Sequence, residues 1–289
     1  MTFKEKIKAG KFLLTTEVGP EKGIHADKML AAAELVRQKA DAVNVTDLQS
    51  SVMRLGSLAA SFFLKQNGFE PIYQLTCRDR NRLALQSDLL SAAALGIKNV
   101  LIATGDHPSL GDHPQAKPVF DLDSVQLIQV AKKLASGFDM QGHQLEGQPP
   151  EFCIGAVVNP GSSPIEPQVI KMEKKIQAGA EFFQTQAVFD LAAFEDFISR
   201  VKHVKVPIMA GIILLKSAPM ARFMNKHIAG ITVPDDLIRE MEQSKDRVAT
   251  SVEIASRLIR QLKPLCQGIH IMSLGWDKVV PQVLEASGL

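Results

Sequence analysis

Two carboxylates, Glu17 and Asp106, are the groups in this 289-residue chain best placed to move a proton or answer a developing charge. Each follows an apolar run, FLLTTE at 12–17 and NVLIATGD at 99–106. A carboxyl at the end of a buried strand is partly desolvated, which suits Glu17 to proton donation. A hydrogen bond to a neighbouring loop is the competing role for Glu17. Gly105 lets backbone approach a ligand where a Cβ would clash, although a Gly-Asp turn that merely ends the strand has the same sequence. Lys171, Lys174 and Lys175 are three and four residues apart in KMEKK. They form either a solvated helix face or a cationic site able to neutralise a diphosphate. GDHP occurs twice, at 105–108 and 111–114. Two Asp and two His invite a metal, but each His precedes Pro and the spacing matches no helix-borne ligand pair, so turn formation is the better reading and no metal is assigned. No lysine ends a strand inside the fold, which disfavours a Schiff base, and no GxSxG or Ser/His/Asp order suggests acyl transfer.

These groups need a scaffold, and the chain alternates short apolar runs with helical periodicity. Strands are expected at 12–17, 41–46, 71–76, 99–103, 152–157, 181–185, 207–212 and 268–272. After an N-terminal helical segment, helices are expected at 25–37, 52–65, 82–95, 122–134, 167–178, 191–201, 218–227, 234–242 and 248–262, with another at the C-terminus. About eight βα units close a parallel barrel, so the expected fold is a single-domain α/β (β/α)8 TIM barrel over residues 1–289. A doubly wound sheet is the alternative, but no GxGxxG follows the first strand and no Walker-type loop appears. In such barrels chemistry lies where strands end. Those positions hold Glu17, Thr46, Gln74 to Thr76, Thr104, Gly105, Asp106, Asn159 and Gln186, too many polar groups for one rim unless ligand or water meets them.

With 33 basic and 31 acidic residues interspersed, the net charge of +2 carries no field for nucleic acid or an anionic membrane. The longest apolar run, near IMAGIILL, is far short of the ~20 residues that span a bilayer. MTFKEKIKAGK lacks a signal core, so a cytoplasmic protein is expected. Cys77, Cys153 and Cys266 are too scattered for a disulfide framework or a zinc site and are expected as small buried residues.

The segments TTEVGP, VNVTD, YQLTC, ATGDHP, VVNPG, KKIQAGAEFFQTQ and FD fall in an order and spacing that resembles the methylenetetrahydrofolate reductase family, in its compact prokaryotic form without the regulatory extension of eukaryotic relatives. The resemblance runs from about Phe12 to the last strand. It implies reduction of methylenetetrahydrofolate to methyltetrahydrofolate through FAD, with NADH or NADPH as possible donor. Glu17 would be the general acid that assists opening of the folate's five-membered ring, and Asp106 the carboxylate beside flavin and pterin. Thr46, Gln74, Thr104, Gly105, Asp106, Asp121, Asn159, Lys171, Lys174 and Lys175 would line FAD; Gln186 and Phe223 would contact folate or nicotinamide. Relatives are commonly homo- or hetero-oligomeric, and some work beside an iron-sulfur electron-transfer subunit. The chain departs from the family pattern at DLQSS after the second strand, at Gln74, at Asn159, at Pro219 and at LGW, which places Trp276 where an arginine is usual. These departures bear on direct NAD(P)H use. A flavin-bearing subunit of an electron-transfer complex and a non-redox pterin-binding methyltransferase barrel are the alternatives.

Overall fold

The computed structural model describes residues 1–289. Eight parallel strands pair in sequential order and close on themselves. They are β1 (Leu13–Val18), β2 (Ala42–Val45), β3 (Pro71–Thr76), β4 (Asn99–Ala103), β5 (Cys153–Val158), β6 (Phe182–Ala187), β7 (Ile208–Ile213) and β8 (Gly268–Met272). The helices are α1 (Phe3–Lys8), α2 (Asp27–Glu34), α3 (Ser57–Gln66), α4 (Arg82–Ala94), α5 (Ser124–Ala135), α6 (Glu166–Ala178), α7 (Leu191–Arg200), α8 (Ala218–His227), α9 (Asp235–Gln243), α10 (Arg247–Leu262) and α11 (Val280–Ser287). This is the (β/α)8 barrel read from the sequence, and no helix is long and apolar enough to cross a membrane. All three cysteines are buried thiols.

Alternation along each strand sorts side chains between the barrel interior and the helix layer. The interior changes character from bottom to top. At the N-terminal end Leu13, Ala42, Ile72, Leu101, Cys153, Phe182 and Met209 form an apolar layer, sealed by Phe3. Phe3 is carried by α1, whose first turn is fixed by a capping box between Thr2 and Glu5, and its ring meets Phe182 edge-on at 5.2 Å. Small residues fit this taper: a Cβ on Gly155 would lie 2.1 Å from the Phe182 ring. One residue pair further up, the inward positions become Thr15, Asn44, Gln184 and His270, all buried. The floor of the barrel is thus hydrocarbon and its upper half polar.

Two expectations are corrected. The helix read over 52–65 begins only at Ser57, because the preceding N–H groups bond outside the segment: Met53 N–H donates to the Asp112 carboxylate at 3.0 Å and Leu55 N–H to the Glu21 carbonyl at 2.9 Å. The sixth strand runs two residues beyond 185, through an irregularity where Gly211 N–H donates to the Thr185 hydroxyl oxygen at 2.9 Å in place of a ladder carbonyl.

Candidate active site

At the C-terminal ends of the strands the polar half of the barrel opens into a cavity of about 590 Å³. Glu17 of β1, Gln74 of β3, Gln186 of β6 and Thr46 just beyond β2 line it, with Thr104, Gly105, Asp106 and Asn159 from the loops after β4 and β5. Lys171 and Lys175 reach it from α6. Ten of the residues singled out in the sequence therefore share one cavity.

Three do not. Asp121 is engaged by Arg82 through Nε and backbone N–H at 2.9 and 2.8 Å and through a second guanidinium nitrogen at 2.9 Å; these hydrogen bonds hold its pKa at about 2. It ties the β4–α5 loop to the start of α4. Lys174 is exposed on α6. Helical rotation of about 100° per residue separates it from Lys175, so the lysine triplet is split between solvent and cavity. Phe223, 58% exposed on α8, packs against His227 at 4.6 Å between ring centroids and is not part of the lining. Pro219 and Trp276 also lie outside it.

Glu17 is nearly buried. Its Oε1 accepts from Gln49 Nε2 at 3.2 Å, and its Oε2 faces His270 Nε2 at 3.8 Å. Gln49 is held there by a loop in unusual backbone geometry, with Leu48, Ser50 and Ser51 at φ 47°, 57° and 58°. Each non-glycine residue in that region carries strain of about 1 kcal/mol or more, so the loop needs external restraint. Arg78 supplies it: its guanidinium donates to the Ser51 hydroxyl at 3.1 Å and the Leu48 carbonyl at 3.4 Å while chelating Asp79. Asp47 anchors the start of the same loop. Its fully buried carboxylate accepts from Arg80, from the Thr76 N–H and hydroxyl and from Ser57. Burial pulls its pKa upward, but Arg80 and the Thr76 donors outweigh burial and hold it below the usual carboxylate range.

The cavity wall supplied by α6 is cationic. Lys175 is buried, forms no ion pair and donates to the Val157 carbonyl at 2.5 Å. Burial, with Lys171 nearby, pulls its pKa down to about 8. A buried ammonium without a carboxylate is unfavourable by itself and is relieved by an anion. Two further features distinguish the cavity wall. Thr46 Oγ1 is buried without a hydrogen-bond partner. Gly105, at φ +91°, passes so near Thr76 and Arg78 that a Cβ would lie 3.0–3.1 Å from their Cβ atoms. Asn159, by contrast, is spent on structure, donating to the Ala229 carbonyl at 3.0 Å and accepting from Gly161 N–H at 3.2 Å. Gln186 folds back so that its Oε1 accepts from Ala187 N–H at 3.0 Å.

Strand ends alone did not point to Asp47, Gln49, Arg78, Gln184 or His270, all of which line the cavity. For Gln184 and His270 the signal was available: each is a polar residue at an inward position in the middle of a strand, where a closed barrel has no solvent to offer. For Gln49 and Arg78 it was not, because their positions depend on the strained loop.

A parallel barrel whose mouth gathers a nearly buried acid and a buried lysine without an ion-pair partner into one cavity has the layout of an enzyme active site. Residues 2–288 match the methylenetetrahydrofolate reductase family, and the chain belongs to it. It is 23% identical over 240 residues to methylenetetrahydrofolate reductase 2 of Schizosaccharomyces pombe, covering 74% of this chain and 35% of that protein. It is 24% identical over 246 residues to methylenetetrahydrofolate reductase (NADH) 1 of Arabidopsis thaliana, covering 76% and 38%. The chain spans about a third of the length of these relatives. Among solved structures, an uncharacterized protein from Clostridium thermocellum that binds two copies of 5-methyl-5,6,7,8-tetrahydrofolic acid superposes with a TM-score of 0.64 at 16% identity, covering 99% of this chain and 98% of that one. EDTA monooxygenase from Chelativorans superposes with a TM-score of 0.58 at 10% identity, covering 96% and 94%. At these identities the likeness is one of fold.

Proposed function

We propose that the chain is a flavin-dependent methylenetetrahydrofolate reductase that binds FAD and folate in the barrel mouth. The observation that carries this reading is the pairing of a nearly buried acid, Glu17, with a buried cation, Lys175, that has no carboxylate of its own. Membership of the family supplies the chemistry, and the likeness to a barrel that binds methyltetrahydrofolate supports a folate in a cavity of this kind.

The residues fit FAD. Lys171 and Lys175 would hold its diphosphate, the unpartnered Thr46 hydroxyl would take a hydrogen bond, and the close-packed Gly105 backbone would lie along the ring system. When bound, the flavin supplies hydride transfer. The protein's part is positional and electrostatic. Glu17 gives a proton to the folate ring nitrogen as its bond to the one-carbon bridge breaks, leaving an iminium on the substrate. Asp106, exposed at the rim with its carbonyl taken by Ser51 Oγ at 3.0 Å, keeps its carboxylate free to stabilise that cation. Gln49 orients Glu17, and Gln186 would contact folate or nicotinamide from the cavity wall.

Glu17→Gln is expected to bind FAD and undergo flavin reduction normally while slowing folate turnover by at least about a hundredfold, the scale of lost general acid catalysis. Wild-type protein that stays colourless and cannot be reconstituted with FAD would overturn the reading in favour of a non-redox pterin-binding barrel. Anaerobic mixing with NADH or NADPH identifies the electron source. Bleaching marks a direct nicotinamide donor, and flavin that stays oxidised yet is reduced by methyltetrahydrofolate marks a protein donor such as an iron-sulfur partner.

A further inference from the structure

The polar layer beneath the cavity is a connected chain of hydrogen bonds ending at Glu17. Asn44 and Gln184 exchange both amide bonds, Asn44 Nδ2 donating to Gln184 Oε1 at 2.7 Å and Gln184 Nε2 to Asn44 Oδ1 at 3.1 Å. The second proton on Gln184 Nε2 goes to Thr15 Oγ1 at 3.1 Å. Thr15 Oγ1 lies 2.9 Å from His270 Nδ1, and the far ring nitrogen of His270 looks at Glu17 Oε2 across 3.8 Å. Strand register makes this possible: β1 and β8 place Thr15 directly beside His270, and β1 and β2 place Glu17 beside Asn44. All five residues are buried.

The chain has a direction. Thr15 Oγ1 already accepts from Gln184, so its own proton needs an acceptor. The alternatives are His270 Nδ1 at 2.9 Å and the Met209 sulfur at 4.0 Å, a far weaker partner. With the hydroxyl proton on Nδ1, the imidazole carries its own proton on Nε2, the nitrogen that faces Glu17. We propose that His270 is a positioning residue for the Glu17 acid, locked as the Nε2–H tautomer by the Asn44–Gln184–Thr15 chain so that a fixed donor awaits the carboxylate formed when Glu17 gives up its proton. The 3.8 Å gap is of the kind that tightens only in the reacting complex. A donor aimed at the charge as it appears, from a buried position, lowers the cost of that proton transfer. The other charged groups around the cavity are Asp47, Arg78, Asp106, Lys171 and Lys175, and none of them is hydrogen-bonded to Glu17 or His270. The inference rests on the role proposed for Glu17, but the tautomer is a property of the protein alone.

Nitrogen-15 NMR of the histidine rings in the full chain, without flavin, reads the tautomer directly, with His270→Gln identifying the resonance. A protonated Nε2 and a bare Nδ1 are expected. Thr15→Val removes the donor to Nδ1 and is expected to mix the tautomers, while Thr15→Ser restores the pure form. A proton on Nδ1 in wild type would mean that the Thr15 hydroxyl accepts from the ring and does not donate to it, and would overturn the proposal. In the flavin-loaded enzyme His270→Leu is expected to lower kcat for folate by at least about tenfold with flavin reduction unchanged, and His270→Gln, whose amide can present an N–H near the former Nε2, to recover most of the loss. Equal losses in the two variants would also overturn it. Protein that turns over no folate at all sinks the proposed function and leaves the NMR result standing; folate turnover with an Nδ1–H ring sinks this inference alone.

Discussion

The loop after β4 carries GDHP twice, and the two copies do different physical work. In the first, Gly105 sits at φ +91° and Asp106 stands exposed at the cavity with its carboxylate uncommitted. In the second, Gly111 has an extended backbone, and the Asp112 carboxylate is saturated by Lys22 Nζ at 2.5 Å, Met53 N–H at 3.0 Å and His113 Nδ1 at 2.8 Å. The first copy faces the cavity, and the second clasps the β1–α2 and β2–α3 loops to the β4–α5 loop. The histidines differ likewise: His107 accepts from Ser109 N–H at 3.2 Å and stacks over Phe120, while His113 serves Asp112. Identical sequence thus carries a cavity-lining element and a structural rivet, separated by what the neighbouring loops offer.

Adding one carbon to each glycine should break the comparison most sharply. A Cβ on Gly111 would lie 1.9 Å from the Ser51 carbonyl oxygen, a backbone atom that cannot swing away. Gly111→Ala is therefore expected to cost about 3 kcal/mol or more in urea unfolding and to disorder the strained loop that carries Gln49. Gly105→Ala meets only side-chain carbons at 3.0–3.1 Å, so its cost is mainly the left-handed backbone, about 1–2 kcal/mol. Its larger expected effect is on FAD affinity, weakened at least about tenfold because the backbone must withdraw from the cavity. Equal stability losses in the two variants would show that the copies are mechanically alike.

The aspartates give the next contrast. Asp106→Asn removes a negative charge at the rim without removing any hydrogen bond of the fold, so the unfolding midpoint is expected to hold while the midpoint potential of bound flavin rises, since the anionic reduced form is no longer repelled. An unmoved or lowered potential would reduce Asp106 to a loop-shaping residue.

Most of the barrel was legible because strand patterning needs only short stretches of sequence: the strands from 71–76, 99–103 and 268–272 have the bounds that periodicity assigned. The cavity was legible as far as it is built from strand ends. Glu17, Thr46 and Gln74 arrive there because a closed barrel leaves them no other place. What failed to come through are positions set by contacts between loops. The start of α3 is decided by donors that bond to Asp112 and Glu21, and the lysine triplet was divided by helical rotation against a cavity wall that no local pattern describes. The second GDHP belongs to the same class. Its role exists only once the loops after β1 and β2 are folded beside it.

The smallest expected effect, and the one that tests the rivet itself, is the pH dependence of Asp112→Asn. Hydrogen bonds from Lys22, then His113 and the Met53 N–H, hold the Asp112 pKa well below the ordinary carboxylate value of about 3.9. A depressed folded-state pKa contributes stability that is fully present above the unfolded value and fades as pH falls toward the folded one, because the unfolded chain then takes up a proton that the folded chain refuses. Asparagine keeps an acceptor for Met53 but offers Lys22 no charge. Wild type is thus expected to melt slightly above Asp112→Asn at pH 7, with the gap shrinking below about pH 4 and narrowing in about 1 M salt, since Lys22 is half exposed. A gap that stays constant from neutral to acid pH would mean that the clasp depends on the shape of the Asp112 side chain and owes nothing to its charge.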